Sequence, residues 1–319
     1  MEKVMSRKLI TISTIMTLMS TSVIADVPNV AADIAPIHSL VSRVMDGVGA
    51  PKLIVQSGAS PHGYRLRPSE AKALQDADHV FWMGEELTPW LDSAIGTLAS
   101  KASVTTLLDQ QGVILHDFRE GALFEAHDHS AHGDDDDDDH DDHDDHDDHG
   151  SHDPHAWLSP ENAKLWLNII ASKLSVSDPE NAATYFMNAA AGQAEIEAMI
   201  AEVKATLKPV QGGKFVVFHD AYQYFENDFD FYASGAISLS DSSDSSPARI
   251  EKVQKRIRDE GIQCVLAEPQ FKKGLVATVM EGSDATASVI DPLGAELETG
   301  PKLYTRLIKN MAKTLRNCL

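Results

Sequence analysis

His62, His155 and His219 stand in comparable places along the chain. The first lies in a loop after a predicted strand at 52–56, the second immediately before a helix cap, and the third just after a predicted strand at 214–218. Each is at the carboxyl end of a strand or at a loop-to-helix junction, so all three can point into one cleft. Imidazole is a good ligand for Zn²⁺, and three imidazoles with one further oxygen complete the tetrahedron that this ion accepts. Taken singly, each histidine reads as a packing or locally bonded residue; taken together, the three read as a metal site. A second population, His127, His129, His132, His140, His143, His146, His149 and His152, is set among aspartate and glycine. That tract can gather Zn²⁺ through many weak ligands at Asp-Asp-His spacing, or it is a solvated insertion. In acid its imidazoles protonate, with an unperturbed pKa of about 6.5, and stop binding. His38, His79 and His116 have no comparable partners in sequence and read as structural.

The elements that must position the three histidines follow from the pattern on either side. The chain opens with Lys3, Arg7 and Lys8 and an apolar stretch from Leu9 to Ile24 that ends at Ala25. That stretch is shorter than the roughly 20 apolar residues of a spanning helix and carries several Thr and Ser, so residues 1–25 read as a secretory signal peptide. No cysteine stands near the cleavage point to accept a lipid, so the mature protein is expected free in the periplasm. About 290 residues remain, enough for two ordinary domains. The net charge of −22 is largely local, because 15 acidic residues fall between Glu125 and Asp153. The mildly acidic remainder argues against nucleic acid or an anionic membrane surface as partner. Two cysteines, Cys264 and Cys318, in an oxidising compartment read as a disulfide, with two unpaired buried thiols as the alternative.

Strands are predicted at 29–34, 52–56, 79–83 and 103–108, with an apolar stripe of Ile37, Leu40, Val41, Val44 and Met45 and a helix-forming segment from Pro68 to Ala77 between them. Residues 125–153 interrupt this order with a low-complexity segment too poor in apolar side chains to offset the entropy of ordering it. Ser159-Pro160-Glu161 opens a helix to about Leu174, and Asp178-Pro179-Glu180 opens a second that continues to Lys208, where Pro209 ends it. Strands are predicted again at 214–218, 230–233, 263–267 and 287–290, with helices between and a closing helix at 302–317. The expected architecture is therefore α/β: an N-terminal lobe over 26–177, a bridging helix over 178–209 and a C-terminal lobe over 210–319, with a cleft between strand ends.

Gly58-Ala59-Ser60-Pro61-His62 with Leu66-Arg67-Pro68-Ser69, Asp153-Pro154-His155-Ala156-Trp157-Leu158-Ser159-Pro160, Phe218-His219-Asp220-Ala221-Tyr222 and Ala267-Glu268-Pro269-Gln270-Phe271 span the mature chain. In combination they resemble the zinc-specific periplasmic solute-binding proteins of ABC importers, the ZnuA type of the metal-binding cluster A-I family. The resemblance implies two (βα)₄ lobes with parallel sheets bridged by a long rigid helix, Zn²⁺ held between them by His62, His155 and His219, and delivery to a membrane permease without catalysis. It also implies a disulfide between Cys264 and Cys318. Some relatives use a glutamate just before the first histidine, where this chain has Pro61; others take a carboxylate from the second lobe, here Asp291 of Ile290-Asp291-Pro292-Leu293, and water is the other candidate for the fourth position. Manganese-binding relatives have a carboxylate in place of His219, consistent with the preference of Mn²⁺ for oxygen. Glu268 and Arg67 read as packing or ion-pair residues.

Three histidines plus water also describe some zinc hydrolases. Against that alternative, the chain has no His-Glu-x-x-His helix, and His127, His129 and His132 lack the aspartate of a His-x-His-x-Asp motif. A manganese-binding relative is the other alternative, and a monomer is expected.

Overall fold

In the computed structural model, the described residues are 27–119, 124, 152–238, 246–270 and 273–319. The expected signal segment and nearly all of the His/Asp tract lie outside them. The first sheet contains β1 (Val30–Ala32), β2 (Lys52–Leu53), β3 (His79–Trp82) and β4 (Ser103–Thr106), all parallel in the order β2-β1-β3-β4. Parallel neighbours require crossover connections. Helices α1 (Ala35–Val44), α2 (Pro68–Gln75) and α3 (Pro89–Leu98) lie between successive strands, each with a proline in its first turn, where its missing N–H is harmless. Ladder bonding runs past the two residues of β2, since the amides of Ile54 and Val55 donate to Ala32 and Asp33.

The second sheet repeats the order. Its strands are β5 (Phe215–His219), β6 (Ala236–Ser238), β7 (Cys264–Ala267) and β8 (Thr286–Val289), parallel as β6-β5-β7-β8. Strand β5 is buried along its whole length, which is why it reads as a continuous apolar run. The intervening helices are α6 (Gln223–Phe229), α7 (Pro247–Glu260) and α8 (Lys273–Met280). In each sheet the order reverses between the first and third strands, and ligands of open α/β sheets bind outside the carboxyl ends at that point.

One predicted strand is overturned. Residues 230–233 are not extended: Asp230 adopts a left-handed conformation (φ 50°, ψ 51°) that caps α6, and the amide of Phe231 bonds back to the Glu226 carbonyl. The alternating Asp-Phe-Asp-Phe imitates a half-buried strand, but Phe229 belongs to the end of α6 and Phe231 caps it, both buried against the core. The strand that pairs with β5 begins at Ala236 instead.

Two helices follow the tract. α4 (Pro160–Ser177) is capped by Ser159, whose hydroxyl accepts the Asn162 amide. α5 (Ala182–Leu207) is preceded by a 3₁₀ turn at Pro179–Asn181 and followed by another at Lys208–Val210. Together these link the two lobes, and the 26 residues of α5 span about 39 Å at 1.5 Å per residue. Gly192 permits the close approach of α5 to its neighbours, since a Cβ there would meet Leu167 Cδ1 at 2.9 Å and Arg43 Cγ at 3.1 Å. The closing helix α9 (Leu303–Cys318) packs on α5, and Cys318 at its end forms a disulfide with Cys264 at the start of β7.

A single apolar core joins the two lobes. Val30 and Phe81 of the first sheet, Trp157, Trp166 and Tyr185 of the linking region, and Phe215 and Tyr304 of the second lobe belong to it. Three hydrogen bonds cross this seam: Trp157 Nε1 donates to the Pro292 carbonyl (2.8 Å), the Tyr304 hydroxyl to the Trp157 carbonyl (2.9 Å), and the Tyr304 amide to Ser39 Oγ (3.0 Å).

Candidate metal centre

His219 is the last residue of β5, not the first residue beyond it, and so stands at the carboxyl edge of the second sheet where the strand order reverses. Glu268 follows the adjacent strand β7. The two meet: His219 Nδ1 lies 2.5 Å from Glu268 Oε1, with both residues buried, and Gln270 Nε2 donates to the other oxygen of Glu268 at 2.8 Å. His155 precedes the 3₁₀ turn Ala156–Leu158 that leads into α4. Its Nδ1 lies 2.6 Å from Asp153 Oδ1, which also accepts the His155 amide at 3.0 Å.

An ionised carboxylate accepts, so Nδ1 is the donor in each pair, and a neutral ring so placed presents the lone pair of its Nε2. These two nitrogens face each other, 3.4 Å apart. Two lone pairs at that distance repel unless a proton or a metal cation lies between them. Two nitrogens bound tetrahedrally to one zinc at about 2.0–2.1 Å are separated by roughly 3.3–3.4 Å, the spacing found here. The donor set therefore fits zinc: imidazoles oriented by carboxylates, in a buried setting.

His62 reaches the same place from the first lobe. Its loop turns at Gly58 (φ 82°) and is fastened to α3 by Trp90 Nε1, which donates to the Pro61 carbonyl at 2.6 Å. The His62 ring centroid is 5.7 Å from that of His155, and His155 is 5.3 Å from His219. Among the described residues no set of three or more His, Cys, Asp and Glu side chains is already drawn together tightly enough to hold an ion. The His155–His219 pair has ligand spacing, with half-buried His62 as its ring neighbour.

The carboxylate of Asp291 turns into its own loop, where Oδ1 accepts the amides of Leu293 (3.0 Å) and Gly294 (2.8 Å) and Oδ2 that of Ala295 (2.6 Å). Burial, then Glu268, push the Tyr222 hydroxyl upward in pKa, and Asp291 adds to the shift. Arg67 is an exposed partner of Glu70, whose carboxylate also accepts the Arg67 amide at 2.7 Å. His38, His79 and His116 bond elsewhere: to the Pro51 carbonyl, the Ser177 hydroxyl and the Asn227 amide group.

Sequence reasoning assigned no orienting role to Asp153 or Glu268, although both lie in the quoted motifs; the signal was a carboxylate two residues before His155 and one just past a strand end. Glu268→Gln is expected to weaken zinc binding about ten- to a hundredfold, the usual effect of removing a partner behind a ligating histidine. A competitive titration returning wild-type affinity would deny Glu268 that role.

Two parallel sheets joined by a long helix, with imidazole nitrogens meeting at the carboxyl edge of the second, define a two-lobed solute-binding protein. The chain belongs to the family of periplasmic zinc-uptake complex component A, whose model matches residues 30–318. It is 47% identical over 304 residues to the high-affinity zinc uptake system protein ZnuA of Brucella abortus, covering 91% of each chain. It is 41% identical over 302 residues to the protein of the same name from Paracoccus denitrificans, covering 92% of this chain and 93% of that one. A crystal structure of ZnuA superposes with a TM-score of 0.72 at 22% identity, over 92% of this chain and 99% of that chain, which is agreement in fold. Among the described residues no helix is long and apolar enough to cross a membrane.

Proposed function

We propose that this chain captures Zn²⁺ in the periplasm through His62, His155 and His219 and delivers it to the membrane permease of an ABC importer. The observation that carries the reading is the pair of Nε2 atoms 3.4 Å apart, each backed by a carboxylate on Nδ1. It is supported by family membership and by relatives named for high-affinity zinc uptake. Zn²⁺ is cargo, bound and released unchanged, and the protein is not an enzyme. It works as a monomer, free in the periplasm once residues 1–25 are removed, with lobes over 26–177 and 210–319 and the connecting helix over 178–209. The fourth position is filled by water or by Asp291, whose oxygens keep a further lone pair after accepting the loop amides. The all-imidazole set favours zinc over manganese. A hydrolase reading has no comparable support, since no His-Glu-x-x-His helix is present.

The test is a competitive zinc titration of the mature protein with and without residues 127–149. The base of the tract is already closed by an antiparallel bridge between Asp117 and His152, with His152 Nδ1 2.9 Å from Asp117 Oδ1, so the shortened chain retains its junction. One tight site is expected to survive the deletion with affinity changed less than about threefold, a difference of under 1 kcal/mol. If tight binding disappears with the tract, the tract is the receptor and the cleft reading fails.

A further inference from the structure

Arg119 belongs to the chain entering the tract, and its guanidinium is engaged 101 residues away in the second lobe. Its Nε lies 3.0 Å from both oxygens of Asp220, a terminal nitrogen also contacts Asp220, and the other donates to Glu226 Oε2 at 2.6 Å. Asp220 is the residue after His219, and Glu226 lies in α6, so the fork spans the turn that follows the zinc ligand. All three side chains are shielded, with exposures of 18% for Arg119, 6% for Asp220 and 1% for Glu226. The Phe124 ring covers the guanidinium, its centroid 3.6 Å from Cζ. The same helix meets the other edge of the site: the Tyr224 hydroxyl donates to the carbonyl of Asp153, whose side chain orients His155.

His219 is thus fixed on three sides: by its ladder position opposite Ser238, by Glu268 on Nδ1, and by the Arg119 fork on the adjoining residue. As a charge, Arg119 opposes a divalent cation nearby. As a rigid planar fork, it holds two carboxylates in one geometry, which an ammonium cannot reproduce. We propose that Arg119 is a positioning residue for zinc, whose bidentate grip on the 220–226 turn holds His219 in ligating geometry and makes zinc release depend on the chain entering the tract. The inference rests on His219 being a zinc ligand.

The test measures zinc affinity and dissociation into excess chelator for Arg119→Lys, Arg119→Met and the charge-neutral Arg119→Met/Asp220→Asn/Glu226→Gln, with melting of the zinc-free proteins. The last variant guards against misfolding caused by two buried unpaired carboxylates. Arg119→Lys keeps the charge and loses the fork, so release about ten- to a hundredfold faster is expected, with Arg119→Met and the neutral triple variant at least as fast. Wild-type release in Arg119→Lys, tighter binding in Arg119→Met, or lowered melting with unchanged zinc kinetics would each overturn the proposal. His219→Ala in the same assay separates the two readings. If it retains wild-type affinity, the site assignment fails; if it loses zinc while Arg119→Lys does not, only the role of Arg119 fails.

Discussion

Replacing His219 by alanine is expected to weaken zinc binding by about a hundred- to a thousandfold. Zinc sites with four protein ligands bind with roughly 10–16 kcal/mol near neutral pH, so one ligand in four contributes about 2.5–4 kcal/mol. His155→Ala should fall in the same range and also leave the buried Asp153 carboxylate without its ring partner. His62→Ala should lose as much affinity with less effect on stability, because this side chain is only half-buried and its loop is held independently through the Pro61 carbonyl. Titration against a chelator of known affinity decides among these. A His219 variant that binds one zinc as tightly as the parent would remove His219 from the site.

The second large effect concerns stability. The disulfide closes a loop of 54 residues, and its removal is expected to lower stability by about 4 kcal/mol on the chain-entropy account. At about 2–4 °C per kcal/mol for a chain of this size, the Cys264→Ser/Cys318→Ser variant should melt roughly 8–16 °C lower. Zinc affinity measured well below that melting point should not change. Cys264 begins β7 at the edge of the sheet remote from the site, whereas Glu268 lies just past its other end. Calorimetric melting of the zinc-free forms is the direct check, and a shift of only a degree or two would show that the bond does not brace the second lobe.

What could be read from the residues depended on how local the information was. Runs such as Phe215-Val216-Val217-Phe218 announce a buried parallel strand by themselves, and proline followed by acidic residues announces the starts of α4 and the linking helix. Strand ends and helix starts are visible in sequence, and that is where His155 and His219 stand, with His62 in the loop beyond β2; the proposal that the three share one zinc draws on the family resemblance as well. Residues 230–233 misled because alternation is a weak signal over four positions and a left-handed Asp230 leaves no sequence mark. The partners behind the ligands were beyond reach for another reason. Glu268 meets His219 across 49 residues and Arg119 meets Asp220 across 101, and no spacing rule connects positions that only the folded sheets bring together.

The shared core beneath both lobes, with Trp157, Tyr304 and Pro292 bonded across it, also bears on the thermodynamics of capture. A receptor hinged like a pair of jaws binds through the fraction of molecules that happen to be shut, and its apparent affinity is reduced by that fraction. A core shared by both lobes opposes such opening, and in this structure the Nε2 atoms of His155 and His219 already stand 3.4 Å apart. On this account zinc loading is expected to leave the lobes where they are, so a transporter that distinguishes full from empty would sense the mouth around His62 and not a swing of one half against the other.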